Sequence, residues 1–324
     1  MKAAIMRAYG TPDVLSVEKI NTPTPSDHEV LIKILSSTVT RADTMMMTGK
    51  PYIGRLFLGL SKPKNPIPGT GYAGVVEAVG KEVEGFFVGE EVFGETTTAM
   101  GANAEYLVVS PESVLLHKPE SISFEEAATY GDGLVTSYNF LHKIVDVKPG
   151  QKVLINGASG SLGTAAIQLA KYFGAEVTAV CSTKNVELVK SLGAHHVIDY
   201  KVKDFTKDFE KYDVIFDTIG ASSFRASKRV LKKQGVYLSP VLNLGILIQS
   251  IRSSFVKGKV ARFAATGMKK DFELREMMEE ILKIYHSGGI KSIIDKRFSL
   301  DNIGMAYHYV SKGHKVGNVV IINE

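Results

Sequence analysis

The sequence predicts an α/β protein, a doubly wound parallel sheet joined to a second, β-rich domain. Three observations carry this. The chain has 324 residues of which 44% are hydrophobic, enough to fill two cores. Its first third consists of short apolar runs broken by Gly and Pro, whereas strand-like runs alternate with helix-period segments from about residue 122 to 265, the order that builds a parallel sheet flanked by helices. A glycine-rich turn, with Gly157, Gly160 and Gly163, lies where one of these strands passes into a helix.

In chain order, residues 2–7, 29–35, 74–79 and 104–109 alternate or run apolar and read as strands. Turn residues at 23–25, 66–71 and 85–94 separate them. In the second part, strands are expected at 152–156, 176–182, 197–200, 213–217, 235–239 and 260–265, with helices at 162–173 and 186–192. A helix over 274–286 is stopped by Gly288-Gly289, and the apolar run 319–322 reads as a final strand. The expected domains are therefore 1–121 completed by 266–324, with 122–265 inserted between them.

Composition excludes several functions. The formal charge is +5, and the basic residues read as scattered, so nucleic acid is not demanded. A single cysteine, Cys181, rules out an internal disulfide and any zinc site built on several thiolates. That fits a reducing compartment, and a charged residue recurs too early after Met1 for a secretory leader. A cytoplasmic location is expected. The most apolar stretch, 241–251, contains Asn243 and Gln249 and is shorter than the roughly 20 residues of a membrane span. It reads as a buried segment or a subunit contact, and a homodimer is left open.

The strongest chemical signal is Val153-Leu154-Ile155-Asn156-Gly157-Ala158-Ser159-Gly160-Ser161-Leu162-Gly163. Gly157 suits the tight turn, Gly160 a close approach of backbone to diphosphate, and Gly163 the packing of helix on strand. Phosphates would rest on the helix N-terminus, where free N–H groups and the dipole favour negative charge. Rival readings fail nearby. A P-loop needs Gly-Lys-Ser/Thr where the chain has Gly163-Thr164-Ala165, and no tyrosine has the lysine four residues later that short-chain dehydrogenases use.

Coenzyme choice is read at the end of the second strand, where a carboxylate would bind a ribose 2′-hydroxyl. Here the chain runs Val180-Cys181-Ser182-Thr183-Lys184. Hydroxyls and a cation favour NADP(H) over NAD(H), although Ser182 or Thr183 could equally cap the next helix and Lys184 could be a solvated first-turn lysine. Tyr200 is a second candidate for the 2′-phosphate. Thr218, Ser239 and Val241 follow the carboxyl ends of later strands, where cofactors bind in such sheets. Cys181 reads as structural.

These residues resemble the medium-chain dehydrogenase/reductase superfamily, and within it the zinc-independent quinone oxidoreductase and alkenal reductase branch. Besides the glycine turn, the resemblance rests on Pro68-Gly69-Thr70-Gly71-Tyr72-Ala73-Gly74, Val88-Gly89-Glu90-Glu91-Val92-Phe93-Gly94, Gln168-Leu169-Ala170-Lys171, Leu192-Gly193-Ala194, Asp217-Thr218-Ile219-Gly220 and His314-Lys315-Val316-Gly317-Asn318-Val319-Val320. It implies a GroES-like substrate domain plus a Rossmann domain, with the active site in their cleft. It also implies that Thr136 meets the nicotinamide amide, and it adds Asn318 to the cofactor residues beside Ala158, Ser159, Ser161 and Leu162 of the turn.

Zinc alcohol dehydrogenases of the superfamily use an early cysteine and a Gly-His-Glu segment. The corresponding stretches here look like Ser37-Thr38-Val39-Thr40-Arg41-Ala42-Asp43 and Gly69-Thr70-Gly71, so no zinc is expected. The eight histidines lack metal-like spacing. Without a Lewis acid an unactivated alcohol is hard to oxidise, whereas a quinone or α,β-unsaturated carbonyl accepts hydride and delocalises the charge itself. The expected activity is NADPH-dependent reduction of a small, hydrophobic, electrophilic acceptor. Thr40, where relatives often have Asn, and the loop aromatic Tyr52 are the catalytic candidates. Asp43 reads as a cap, and Met45-Met46-Met47 as core filler before ligand contact. An NADP-dependent alcohol or aldehyde dehydrogenase without zinc, and a non-catalytic NADPH-binding regulator, are the competing readings.

Overall fold

The computed structural model describes residues 1–255 and 257–323 and divides into two compact units. The first comprises 1–132, 267–279 and 292–324; the second comprises 133–266 and 280–291. The division thus falls beyond the expected boundary at 121, because the helix over Phe124–Ala128 makes its contacts with strands of the first unit.

The first unit is built on antiparallel strands. β1 (Lys2–Met6) pairs with β2 (Leu15–Lys19). A larger sheet contains β3 (Val30–Thr38), β4 (Gly71–Val79), β5 (Glu91–Glu95), β6 (Tyr106–Val109) and β7 (Val114–His117). The C-terminal strands β14 (Ile294–Ser299) and β15 (Asn318–Ile322) extend it, in the order β14-β15-β3-β4-β5-β7, with β6 on β3. The chain end is therefore knit into the first unit, as a discontinuous domain requires. Helices α1 (Arg41–Thr48), α2 (Arg55–Leu58), α3 (Phe124–Ala128) and α10 (Ile303–Ser311) accompany the strands. Met47 is fully buried in a core with Ala4, Ile303, Tyr307 and Val319, so this methionine fills the interior.

The second unit holds six parallel strands: β8 (Lys152–Asn156), β9 (Glu176–Cys181), β10 (His196–Asp199), β11 (Tyr212–Asp217), β12 (Leu231–Ser239) and β13 (Val260–Phe263). Their order is β10-β9-β8-β11-β12-β13, so the winding direction reverses between β8 and β11, the point at which such sheets bind ligands. Strands buried on both faces need near-continuous apolar runs, and Val153, Leu154, Ile155, Ile215 and Phe216 are all fully or nearly fully buried. Connecting helices are α4 (Val135–Tyr138), α5 (Ser161–Tyr172), α6 (Val186–Ser191), α7 (Phe224–Ser227) and α8 (Leu244–Ser254). Helix α9 (Asp271–His286) starts in the first unit and ends in the second.

Two expectations need correction. β12 starts at Leu231, not 235, because the exposed Lys232-Lys233-Gln234 hides a strand that shifts register against β11. The stretch 241–251 is not a buried segment: most of it forms α8, in which Ile246 and Ser253 are the buried residues and Leu244 is 73% exposed.

Candidate functional site

In the second unit a glycine-rich turn leads from the end of β8 into the N-terminus of α5. Gly157 takes a left-handed φ of 75° directly after β8, which an L side chain rarely adopts. Gly160 caps α5 without a side-chain hydrogen bond, which leaves first-turn N–H groups for an anion. Gly163 lies in that turn with its α-carbon against the Gly157 carbonyl and Ala158, so close that a methyl group there would meet the carbonyl at 2.3 Å. Gly160, by contrast, has no protein atom nearer than 3.5 Å to such a methyl, so no contact within the protein demands glycine there.

Neighbouring strand ends are tied to this turn. Thr218 Oγ1 donates to the Asn156 carbonyl at 2.8 Å, and the Ala158 amide donates to Val180 at 3.0 Å. Asn185 Nδ2 donates to Ser159 Oγ at 2.8 Å. Ser137 Oγ donates to the Leu162 carbonyl at 2.9 Å, which sets α4, and Thr136 with it, beside the start of α5. Val241, whose amide donates to Ser239 Oγ, packs against Gly220 just after β11. Hence Thr136, Gly157 to Gly163, Thr218, Ser239 and Val241 all gather at one end of the sheet. Beneath them Asp217 is fully buried; its carboxylate accepts from Asn156 Nδ2, Tyr237 Oη and the Ser222 amide, so it is satisfied and structural.

The second-strand residues also converge. Ser182 is buried and Lys184 exposed, and the Tyr200 amide donates to Cys181 at 3.1 Å, placing Tyr200 next to the end of β9. Ser182 makes no capping bond. Sequence reasoning missed Asp199 at this rim: it pairs with Cys181 across β10 and β9 and accepts from Thr183 Oγ1 at 2.5 Å and the Lys201 amide at 2.9 Å. These bonds, the Thr183 hydroxyl foremost, hold its carboxyl below the usual range. Burial pushes the Cys181 thiol up to about 11, which leaves it an unreactive thiol.

Three candidates belong to the first unit. Asn318 donates its side-chain amide to the Ile293 carbonyl at 3.1 Å. Tyr52 is 67% exposed, with Arg55 over its ring. Thr40 is buried at the N-terminus of α1. It forms a reciprocal capping box with Asp43, the Thr40 hydroxyl and amide both donating to Asp43 Oδ2 at 2.7 Å. The capping role of Asp43 was legible; its surroundings were not. Oδ1 of Asp43 and Oε2 of Glu95 are buried without a hydrogen bond, and the Thr70 side chain faces both carboxyls. Burial pushes Asp43 up to about 7 and Glu95 up to about 8, with Asp132 raising both further. Burial also brings Lys315 down to about 8, against the pull of Asp132, Asp295 and Asp43.

This cluster sets a pH dependence. Asp43 and Glu95 bind protons more tightly folded than unfolded, so their contribution to stability is complete below about pH 4 and lost as the pH rises through about 7 to 8. Lys315 acts with the opposite sign, but above about pH 8. Urea midpoints should therefore fall between these limits, and Asp43→Asn with Glu95→Gln should flatten the fall. A slope that persists unchanged in the double variant would assign it elsewhere.

Among the described residues no three of His, Cys, Asp and Glu are grouped to hold a metal ion. The adjacent pair of histidines is engaged locally: His195 Nδ1 accepts from the Val177 amide and His196 pairs with Glu176 at 2.9 Å.

Comparison with known proteins agrees with this geometry. Residues 26–120 match the alcohol dehydrogenase GroES-like domain, and residues 192–321 match a zinc-binding dehydrogenase domain. The chain is 33% identical to 2-methylene-furan-3-one reductase of Solanum lycopersicum, over 99% of this chain and 79% of the relative. It is 29% identical to the chloroplastic NADPH-dependent alkenal/one oxidoreductase of Arabidopsis thaliana, over 99% of this chain and 79% of that one. The solved quinone oxidoreductase of Coxiella burnetii superposes with a TM-score of 0.86 at 25% identity, over 99% of each chain. With a parallel sheet that reverses at its glycine turn, a GroES-like unit closed by the C-terminal strands, and these relatives, the chain belongs to the medium-chain dehydrogenase/reductase superfamily, in its quinone oxidoreductase and alkenal reductase branch.

Proposed function

We propose that this protein uses NADPH to reduce a quinone or an α,β-unsaturated carbonyl compound without zinc. The observation that carries the reading is a chain that combines a diphosphate cradle at Gly157 to Gly163 with hydroxyl groups, Thr40 and Thr70, in the two stretches where zinc-using members present cysteine and histidine. Hydroxyls are poor partners for a zinc ion, so the acceptor must carry its own activation. NADPH, when bound, supplies the hydride.

The chain's own groups divide the remaining tasks. The first turn of α5 and Gly160 take the diphosphate, Ser182, Lys184 and Tyr200 take the 2′-phosphate, and Thr136 orients the nicotinamide amide. Thr40 Oγ1 is the hydroxyl offered to the acceptor oxygen. Thr40 Oγ1, which donates to Asp43 Oδ2 while no acceptor is bound, would give its proton to the reduced acceptor's oxygen and take one from Asp43, which burial holds up to about 7, and Asp43 would then regain a proton from water. A cytoplasmic setting suits the single buried thiol.

Turnover of NADPH with quinones and enones should survive exhaustive chelation, and added zinc should not raise it. Activity lost on chelation and restored by zinc would reject the zinc-free reading. Oxidation of simple secondary alcohols at rates above enone reduction would favour the dehydrogenase instead.

A further inference from the structure

Asp43 has to be refilled with a proton after every turnover, yet it is sealed. Only 1% of the residue is exposed. Its Oδ2 is taken by the Thr40 amide and hydroxyl, both at 2.7 Å, and its Oδ1 is buried without a hydrogen bond. Solvent does not touch this carboxyl directly, so a proton reaches it through a neighbouring side chain.

Thr70 is such a neighbour. It is buried, and its side chain faces Asp43 and Glu95 alike. Glu95, the last residue of β5, keeps Oε2 buried without a hydrogen bond while Oε1 accepts from the Thr97 amide at 3.2 Å. The residue as a whole is half-buried, and Thr98 and Ala99 shortly after it are exposed, so this side chain joins the interior to the surface. Glycine makes the room for it: a methyl group on Gly131 would meet Oε2 at 2.0 Å, and one on Gly71 would lie 3.5 Å away.

Other titratable groups nearby are poorer sources. Tyr72 and Tyr307 feel the charges of Glu95 and Asp43, but burial pushes both phenols up, and they donate to the Val114 carbonyl and to Asn103 Oδ1. Lys315 Nζ is turned to the Gly317 carbonyl. Burial, helped by the charges of Asp43 and Asp132, pushes Glu95 up to about 8, so it carries a proton near neutrality.

We propose that Glu95 refills Asp43 through the Thr70 hydroxyl, so that Glu95, Thr70, Asp43 and Thr40 form one proton path from the surface to the acceptor. When Asp43 has given its proton to Thr40, its carboxylate takes the Thr70 proton, Thr70 takes the one on Glu95, and Glu95 recovers one from solvent. Only O–H bonds break and form, one proton moving at each step. Hydrogen bonds of this kind are often long without ligand and tighten in the complex. The path rests on Thr40 as the donor to the acceptor oxygen, and Glu95 acts through Asp43.

Stopped-flow oxidation of NADPH with an enone, at about pH 6 where Asp43 starts protonated, separates these roles. In Glu95→Gln the first turnover should run at the wild-type rate, and the turnovers after it should slow by about 100-fold, the low end of what a positioned proton transfer contributes. Thr70→Val should show the same split and Thr70→Ser should restore the wild-type course, which keeps the test open if Glu95→Gln fails to fold. First and later turnovers slowed alike, or neither slowed, would overturn the path, as would Thr70→Val turning over like the wild type. Thr40→Val distinguishes this from failure of the reading beneath it: the first turnover itself should slow, and an unchanged one removes Thr40 as donor and the path with it.

Discussion

Gly163→Ala should both destabilise the protein and abolish tight NADPH binding, whereas Gly160→Ala should spare stability and lose binding alone. At position 163 the added methyl would meet the Gly157 carbonyl at 2.3 Å and Ala158 backbone atoms at 2.6 Å. Neither is a side-chain end that can swing away, so α5 must shift from the turn. Overpacking of this kind costs about 1–3 kcal/mol, which outweighs the gain of about 1 kcal/mol from replacing glycine inside a helix. The same shift withdraws first-turn N–H groups from the diphosphate, and hydrogen bonds to charged groups are worth about 1.5–3 kcal/mol each. Losing one or two predicts NADPH binding weaker by about tenfold at the least. At Gly160 the φ of −78° suits any residue and no protein atom crowds the site, so thermal melts should match the wild type while fluorescence titration shows weak binding. If Gly163→Ala melted and bound coenzyme like the wild type, the turn would not be the binding site.

Lys184→Glu should reverse coenzyme preference. Lys184 is exposed and lies one turn beyond β9, near Ser182 and Tyr200. Removing a charge-assisted bond to the 2′-phosphate and putting a carboxylate in its place should weaken NADPH binding by about 10–100-fold at low salt, and by less as salt screens the pair. NADH, which lacks that phosphate, should change little and can gain a bond from the new carboxylate to its ribose. Paired titrations of the two coenzymes decide the matter; equal losses would remove Lys184 from the site. Asp199→Asn is the informative companion, since it relieves a negative charge that the Thr183 hydroxyl and the Lys201 amide hold at the same rim, and should favour NADPH.

Much of the second unit is legible in the amino-acid order. β8 runs over Lys152–Asn156 as expected, because a strand covered on both faces must be continuously apolar. The glycine turn was legible for a similar reason: its demand for φ above zero and for a missing side chain is local. Where local marks conflict with context the reading failed. Lys232-Lys233-Gln234 concealed the first half of β12, as an exposed, charged strand segment carries no apolar period. Asn243 looked like an interruption of an apolar segment and is instead the cap of α8, accepting from the Ile246 amide at 2.9 Å.

Taken alone, the amino-acid order determined the parallel strands, the glycine turn and the capping role of Asp43, because each is encoded by neighbours a few residues apart. Only the tertiary structure decided that burial pushes the Asp43 and Glu95 carboxyls up and the Lys315 ammonium down, since groups so distant in the chain come close enough for the charge of Asp43 to act on the other two. It also decided which stripe of α8 faces water. Composition can say that a helix is apolar, but the side it turns outward depends on the sheet it packs against.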